Sequence, residues 1–327
     1  MIIDKKIIII GGTGSLGNAL CDKYLLSNEI LIYSRSENLQ WEMKFKYNNK
    51  NLSFFVGDIR DKERLETAIF RFKPNIVIIA AALKHIDICE NNINECINTN
   101  IDGIRNIVNI ISNYSMIGSV PFIETVCFIS TDKACAPVNT YGMCKSISER
   151  IMIEKSQFIT SPKFVIVRYG NVLSSRGSLI PFYKSLIKNK TIDSYIPVTH
   201  EKMSRYFMTL EESVSLIEYA ILNSESGDTV IPKNISSYKI LDIANYVSIL
   251  NKIPVKITGL RPGEKLSETL ISFTESLRTV EVKDYFIIKP TFKQNLIQKH
   301  VSFENGEFNS ETNLKVIDET ILNTLRG

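Results

Sequence analysis

Tyr141 and Lys145 stand four residues apart in STDKACAPVNTYGMCK (130–145), and Asp132 and Lys133 are neighbours just upstream. At helical spacing the tyrosine and lysine share a face. A phenol beside an ammonium is expected to lose its proton nearer neutrality than its usual value of about 10. The tyrosinate can then take a hydroxyl proton while the adjoining carbon gives up hydride. Ser130 and Thr131 precede the pair and are placed to hydrogen-bond the same hydroxyl. Reversible oxidation of an alcohol needs little more. Asp132 and Lys133 add what elimination of water requires: a base for a proton acidified by a new ketone, and an acid for the departing hydroxyl. If Lys133 is the member of the pair that acts as base it must be neutral, which desolvation and neighbouring Lys145 are expected to provide.

The surrounding elements must bring these groups to one place. KKIIII reads as a buried parallel strand. EILIYS, LSFFVGD, PNIVIIAA, ETVCFISTD and KFVIVRYG repeat the theme, separated by helical stretches that include DKERLETAIFRF, a long region near 90–112 and a helix starting near Asn139. Repeated βαβ units give an α/β, Rossmann-like, doubly wound parallel sheet. After Gly170 the loops are rich in Gly, Pro, Ser and Arg. The expected division is therefore a dinucleotide-binding domain over 1–170, with about 205–245 returning to it, and a mainly substrate-binding lobe over 171–327.

GGTGSLG sets Gly11, Gly14 and Gly17 at GxxGxxG spacing, with Thr13, Ser15 and Leu16 between them. A glycine turn between a first strand and a first helix admits a pyrophosphate to the helix N-terminus. The second strand ends in Ser34, Arg35 and Ser36 rather than the acid that usually meets a ribose 2′-hydroxyl, and an arginine there suits a 2′-phosphate. NADP is favoured over NAD. Asp58, followed by Ile59, is placed to accept from the adenine amino group, and Ala80, Ala81 and Ala82 close the fourth strand beside the cofactor.

Composition narrows the field. The chain has 327 residues, 44% of them hydrophobic, and a net charge of +4 without a long basic run, so nucleic acid is not an expected partner. Its six cysteines form no CxxC pair and read as reduced structural thiols of a cytoplasmic protein, with no catalytic role expected of Cys135 or Cys144. No apolar run is long enough to span a membrane, and MIIDKKIIII leads into glycines rather than a cleavage site. No metal site is expected.

AAALKHIDICE, CINTNIDG, STDKACAPVNTYGMCK, VRYGNVLSSRGSLIPF and GLRPGEKLSETLIS together resemble the inverting UDP-N-acetylglucosamine 4,6-dehydratases, extended short-chain dehydrogenase/reductases that begin routes to 6-deoxy amino sugars. The resemblance spans most of residues 5–275. It implies UDP-GlcNAc as substrate, tightly held NADP, and a homo-oligomer, dimeric or hexameric. It associates Lys133 with the C5 proton and inversion at C5; glucose-specific dehydratases typically carry Asp-Glu there. It also implies that Asn171, Ser178, Arg205, Arg261 and Glu264 hold the UDP end, with Lys84 and His85 near the sugar or nicotinamide. Tyr141 aligns the chain with the soluble branch, because many membrane-anchored relatives carry Met. His200 stands where relatives usually have an acid. A UDP-sugar 4-epimerase, which needs no Asp132–Lys133 pair, and a non-catalytic NADP sensor are the competing readings.

Overall fold

Ile7 and Ile9 point to one face of the central sheet and Ile8 and Ile10 to the other, and all four are fully buried. A strand apolar on both faces has to be covered by helices on both sides, and the chain supplies them in alternation. The computed structural model describes residues 1–116, 122–297 and 300–326. Its first half runs β1 (Lys6–Ile10), α1 (Ser15–Tyr24), β2 (Glu29–Ser34), α2 (Glu37–Tyr47), β3 (Leu52–Val56), α3 (Lys62–Phe72), β4 (Ile76–Ile79), α4 (Ile86–Asn91), α5 (Ile93–Ile97), α6 (Gly103–Met116), β5 (Thr125–Ile129), α7 (Thr140–Phe158) and β6 (Lys163–Val167). The second half runs β7 (Asn171–Val172), α8 (Leu179–Lys188), β8 (Ile196–Val198), β9 (Ser204–Met208), α9 (Leu210–Asn223), β10 (Thr229–Pro232), β11 (Ser236–Lys239), α10 (Ile240–Asn251), β12 (Val255–Ile257), β13 (Thr269–Ile271), α11 (Phe273–Ser276), β14 (Thr279–Val282), β15 (Tyr285–Ile288), β16 (Phe308–Asn309) and α12 (Glu319–Arg326).

The main sheet has the order β14-β15-β10-β6-β5-β4-β1-β2-β3, parallel from β10 through β3. Order reverses between β1 and β4, which opens a crevice beyond their C-terminal ends where α/β sheets take ligands. Residues 210–232 supply α9 and β10 to this body. The β14–β15 hairpin, which falls within the expected substrate lobe, adds two antiparallel strands at its edge. Lys283 makes its turn with a φ of 55°. The smaller lobe has its own core, in which Tyr183 and Ile196 pack with Tyr238 and Ile243 between α8, α10 and the short sheets β11-β9-β7 and β12-β8.

The helical region near 90–112 is not one helix. Two short helices and a π-helical turn at Asn98–Asp102 precede α6. The reason is Asn100, whose amide donates to the Leu83 carbonyl at 2.8 Å and accepts from the Leu83 N–H at 2.8 Å, pinning the loop after β4. Wide turns of this kind inside helices often mark functional sites. Among the described residues no helix is long and apolar enough to cross a membrane.

Candidate active site

A cavity of about 690 Å³ lies over the crevice. Gly11, Thr13, Gly14, Ser15, Leu16 and Gly17 form its floor at the start of α1. A Cβ at Gly17 would sit 1.9 Å from the Gly12 carbonyl oxygen, so only glycine lets the helix close on the turn. Gly11, at a φ of +85°, also passes close to the Ala81 backbone, where a Cβ would sit 2.5 Å away. The free N–H groups of α1 therefore face the cavity, the arrangement a pyrophosphate requires.

Ser34, Arg35, Ser36 and Ile59 line the end of the cavity at β2. Ser36 caps α2, and the Gln40 amide donates to Ser34 Oγ at 3.0 Å. Arg35 is half exposed, 3.8 Å from Asp58. Asp58 itself is not part of the lining. Both its oxygens are taken by Arg60, at 3.0 and 2.7 Å, so the carboxylate expected to meet adenine is committed to a neighbouring guanidinium. Ala80, Ala81, Ala82, Lys84 and His85 line the middle.

At the other end stand Thr131, Lys133, Tyr141, Lys145, Asn171 and Ser178, again along the lining. Asn139 caps α7 by accepting from the Gly142 N–H at 2.8 Å. A Cβ on Gly142 would lie 2.2 Å from the Lys133 carbonyl oxygen, so this glycine allows the 131–135 loop to rest on the first helical turn. Lys145 donates to the Ile129 carbonyl at 2.7 Å and sits over the Phe128 ring. Burial lowers its pKa to about 8, against the pull of Glu149. Tyr141 departs from expectation: burial and then the Asp132 carboxylate push its pKa up, with the Thr131 hydroxyl opposing them. Among this chain's own groups, Tyr141 is held as a phenol.

Lys133 departs in the same sense. Burial alone would favour the neutral amine, but the carboxylates of Asp132 and Glu268 outweigh it and the ammonium is stabilised. Its Nζ donates to Asp132 Oδ1 at 3.0 Å and to Asn171 Oδ1 at 3.4 Å. Asp132 is fully buried behind the cavity wall, and its Oδ2 has no hydrogen-bond partner.

Three residues expected at the UDP end lie outside the cavity. Arg205 is buried and donates to the carbonyls of Ser204, Lys265 and Leu266. Arg261 and Glu264 face each other in an ion pair of 2.6 Å, satisfied locally. His200 accepts from the Lys202 N–H within its own loop.

Other residues at the site were not singled out from sequence. Arg176 reaches across from the 173–178 loop and donates to the Thr13 carbonyl at 2.5 Å, while Lys84 donates to the Arg176 carbonyl at 2.7 Å. The quoted VLSSRGSLIPF stretch was the available signal. Ser130, expected to bond the reacting hydroxyl, lines the cavity and donates to Glu149, and behind it Arg168 bridges Glu149 and Glu275 in a buried triad. All six cysteines are buried free thiols, three of them (Cys89, Cys96 and Cys144) clustered beneath Tyr141.

A doubly wound sheet, a glycine cradle for a dinucleotide and a tyrosine–lysine helix beside it define an extended short-chain dehydrogenase/reductase. Residues 7–290 match the polysaccharide biosynthesis protein family, to which the chain belongs. It is 38% identical over 299 residues to a Campylobacter jejuni protein named UDP-N-acetylglucosamine 4,6-dehydratase (inverting), covering 90% of this chain and 85% of that one. A Rickettsia rickettsii protein named UDP-glucose 4-epimerase is 35% identical over 297 residues, 88% of this chain and 84% of its own. The solved structure of Pen from Bacillus thuringiensis matches with a TM-score of 0.86 and 31% identity over 98% of both chains. More distant structures of the same fold include complexes with NAD.

Proposed function

We propose that the protein is an NADP-dependent UDP-N-acetylglucosamine 4,6-dehydratase that inverts C5, acting in the cytoplasm. The observation that carries this reading is the Asp132–Lys133 ion pair, 3.0 Å across, set beside Tyr141 at the end of the cavity away from Arg35. Alcohol oxidation alone has no use for it. The named Campylobacter jejuni relative supports the same chemistry.

Gly11, Gly14 and Gly17 hold the pyrophosphate and Arg35 the 2′-phosphate. Bound nicotinamide supplies hydride acceptance at C4, hydride return at C6 and a positive charge that favours the Tyr141 phenolate. Tyr141 takes the O4 proton, and the resulting ketone acidifies C5–H. Lys133 and Asp132 then work as a unit. A proton passing from the Lys133 ammonium to the Asp132 carboxylate creates a neutral amine and a carboxylic acid in one move. The amine removes the C5 proton, and the acid passes its proton to the departing C6 hydroxyl through the Thr131 hydroxyl, which lines the cavity 2.9 Å from Asp132 Oδ1. Water leaves and the resting ion pair is restored. Tyr141 returns its proton to C5 from the opposite face, which inverts that centre. Thr131 orients O4, and Asn171, Ser178, Lys84 and His85 line the path of the sugar nucleotide.

The ordering of roles is tested by proton NMR of the protein with UDP-GlcNAc in D₂O. A new C6 methyl signal with deuterium at C5 and L-arabino couplings is the expected result. The Rickettsia relatives support a second reading, 4-epimerisation. UDP-GalNAc without a methyl signal establishes that reading and overturns the first. Arg35→Asp is expected to reverse the preference for NADP over NAD in cofactor reconstitution; an unchanged preference removes Arg35 from the 2′-phosphate. A homo-oligomer is part of the proposal: Ile88, Ile93, Met143 and Ile147 are each about half exposed on adjoining helices, and sedimentation velocity measures the state.

A further inference from the structure

Glu268 lies immediately before β13, is 2% exposed, and has no part in the steps above. Its Oε1 lies 3.6 Å from Lys133 Nζ and 3.8 Å from Arg205 Nε; its Oε2 lies 3.7 Å from Lys265 Nζ. Three cations thus face one carboxylate, and Oε2 has no hydrogen-bond partner. The backbone is clamped at the same point, because the Glu268 N–H donates to Ser310 Oγ and the Ser310 N–H donates to the Glu268 carbonyl, both at 2.9 Å. A side chain held rigidly at its root but loosely at its tip is poised to be shared.

We propose that Glu268 is a positioning residue for the elimination, fixing where the Lys133 side chain rests and how readily its proton leaves. The inference rests on the reading of Lys133 as the base for C5. Lys133 lies between two carboxylates from different parts of the chain: Asp132 on its own loop and Glu268 on the segment returning from the substrate lobe. Asp132 is the partner to which the proton must pass. Glu268 opposes that transfer, because its charge favours the ammonium. Arg205 on β9 and Lys265 beside it draw on the same carboxylate and weaken its hold. Tyr141 and Lys145 on α7 complete the titratable groups at this end of the cavity. Arg205, expected to bind UDP, here tunes the acid–base pair. Buried opposite charges within about 4–6 Å shift a protonation equilibrium by about 1–3 pH units, so each member of the cluster has a measurable and signed effect.

The test follows exchange of the C5 hydrogen of the enzyme-made 4-keto product into D₂O by NMR as a function of pH, which isolates proton removal from hydride transfer. In Glu268→Gln the amine forms more easily, and the pH midpoint of exchange falls by about one unit or more. In Lys265→Met a competing cation is lost, Glu268 holds Lys133 more strongly, and the midpoint rises. Opposite displacements of the two variants establish the inference; if Glu268→Gln fails to fold, the direction for Lys265→Met decides it. Wild-type midpoints in both variants overturn it, as does a raised KM in Glu268→Gln with the midpoint unmoved, which describes a scaffold. A wild-type protein that forms no methyl product instead overturns the dehydratase reading, and this inference with it.

Discussion

Replacing Arg168 by Met takes the guanidinium out of a pocket where its nitrogens approach Glu149 at 2.5 and 3.0 Å and Glu275 at 2.9 Å, with the Leu270 carbonyl at 2.8 Å. Methionine nearly fills the space but leaves two buried carboxylates facing each other. Breaking a buried pair from one side costs about 3–5 kcal/mol. With an unfolding entropy of roughly 2.1 cal/mol/K per residue over 327 residues, that is a fall in Tm of about 4–7 °C. The pH dependence gives the sharper check. Burial raises the Glu275 carboxyl, but Arg168 outweighs burial and brings it to about 2. In the wild type its contribution is complete above the usual carboxylate value of about 4.3 and is lost as pH falls through about 2. In the variant, burial acts unopposed by Arg168, so the folded state takes up protons as the pH is lowered and recovers stability. Urea denaturation is therefore expected to show the full gap at neutral pH and a much smaller one near pH 4. A gap below about 1 kcal/mol, or one that does not change with pH, would refute this account of the triad.

Tyr141→Phe is expected to leave stability within about 1 kcal/mol while lowering C4 oxidation by about 10²–10⁴-fold; single-turnover formation of the reduced cofactor measures it, and wild-type turnover excludes Tyr141 as the base. Gly17→Ala forces a methyl group into the Gly12 carbonyl and is expected to destabilise the protein by about 1–3 kcal/mol or more. It should also abolish co-purification of the dinucleotide, read by absorbance after acid release, and a retained cofactor contradicts the cradle. Lys145, brought to about 8 by burial, keeps its proton in the unfolded chain up to about 10.4, so over that interval folded stability gains with rising pH. Lys145→Met should remove that gain in denaturation midpoints, and identical slopes for the two proteins count against the burial of its charge.

What was legible in the sequence was whatever is encoded locally. The glycine turn, the apolar strands and the Asn139 cap are each written within a few consecutive residues, and the described elements fall where those signals stand. Tyr141 and Lys145 share a helix, so their spacing alone placed them together. Their protonation was not legible, because the depth of burial, Asp132 and Glu149 decide it, and none of these is visible in a four-residue interval. Arg205, Arg261 and Glu264 have the right chemistry for a nucleotide; in the fold Arg205 meets carbonyls and Glu268, while Arg261 and Glu264 meet each other. Glu268 was hidden inside a quoted motif because its significance arises from a segment folding back onto the 131–135 loop. The β14–β15 hairpin was missed because short alternating runs with a Lys-Asp turn resemble the neighbouring loops.

The buried thiols have a practical consequence. All six lie at or before Cys144, distributed over α1, α4, α5, β5, the 131–135 loop and α7, and the chain beyond has none. An alkylating reagent can reach them only when the nucleotide-binding half opens, so its rate of uptake is a clock for that opening. Mass spectrometry of each labelled cysteine would time the sheet and α7 separately, without any engineered probe. Labelling of Cys135 ahead of Cys21 and Cys127 would mean that the 131–135 loop breathes while the sheet stays closed; a common rate for all six would mean that this half of the molecule opens as one unit.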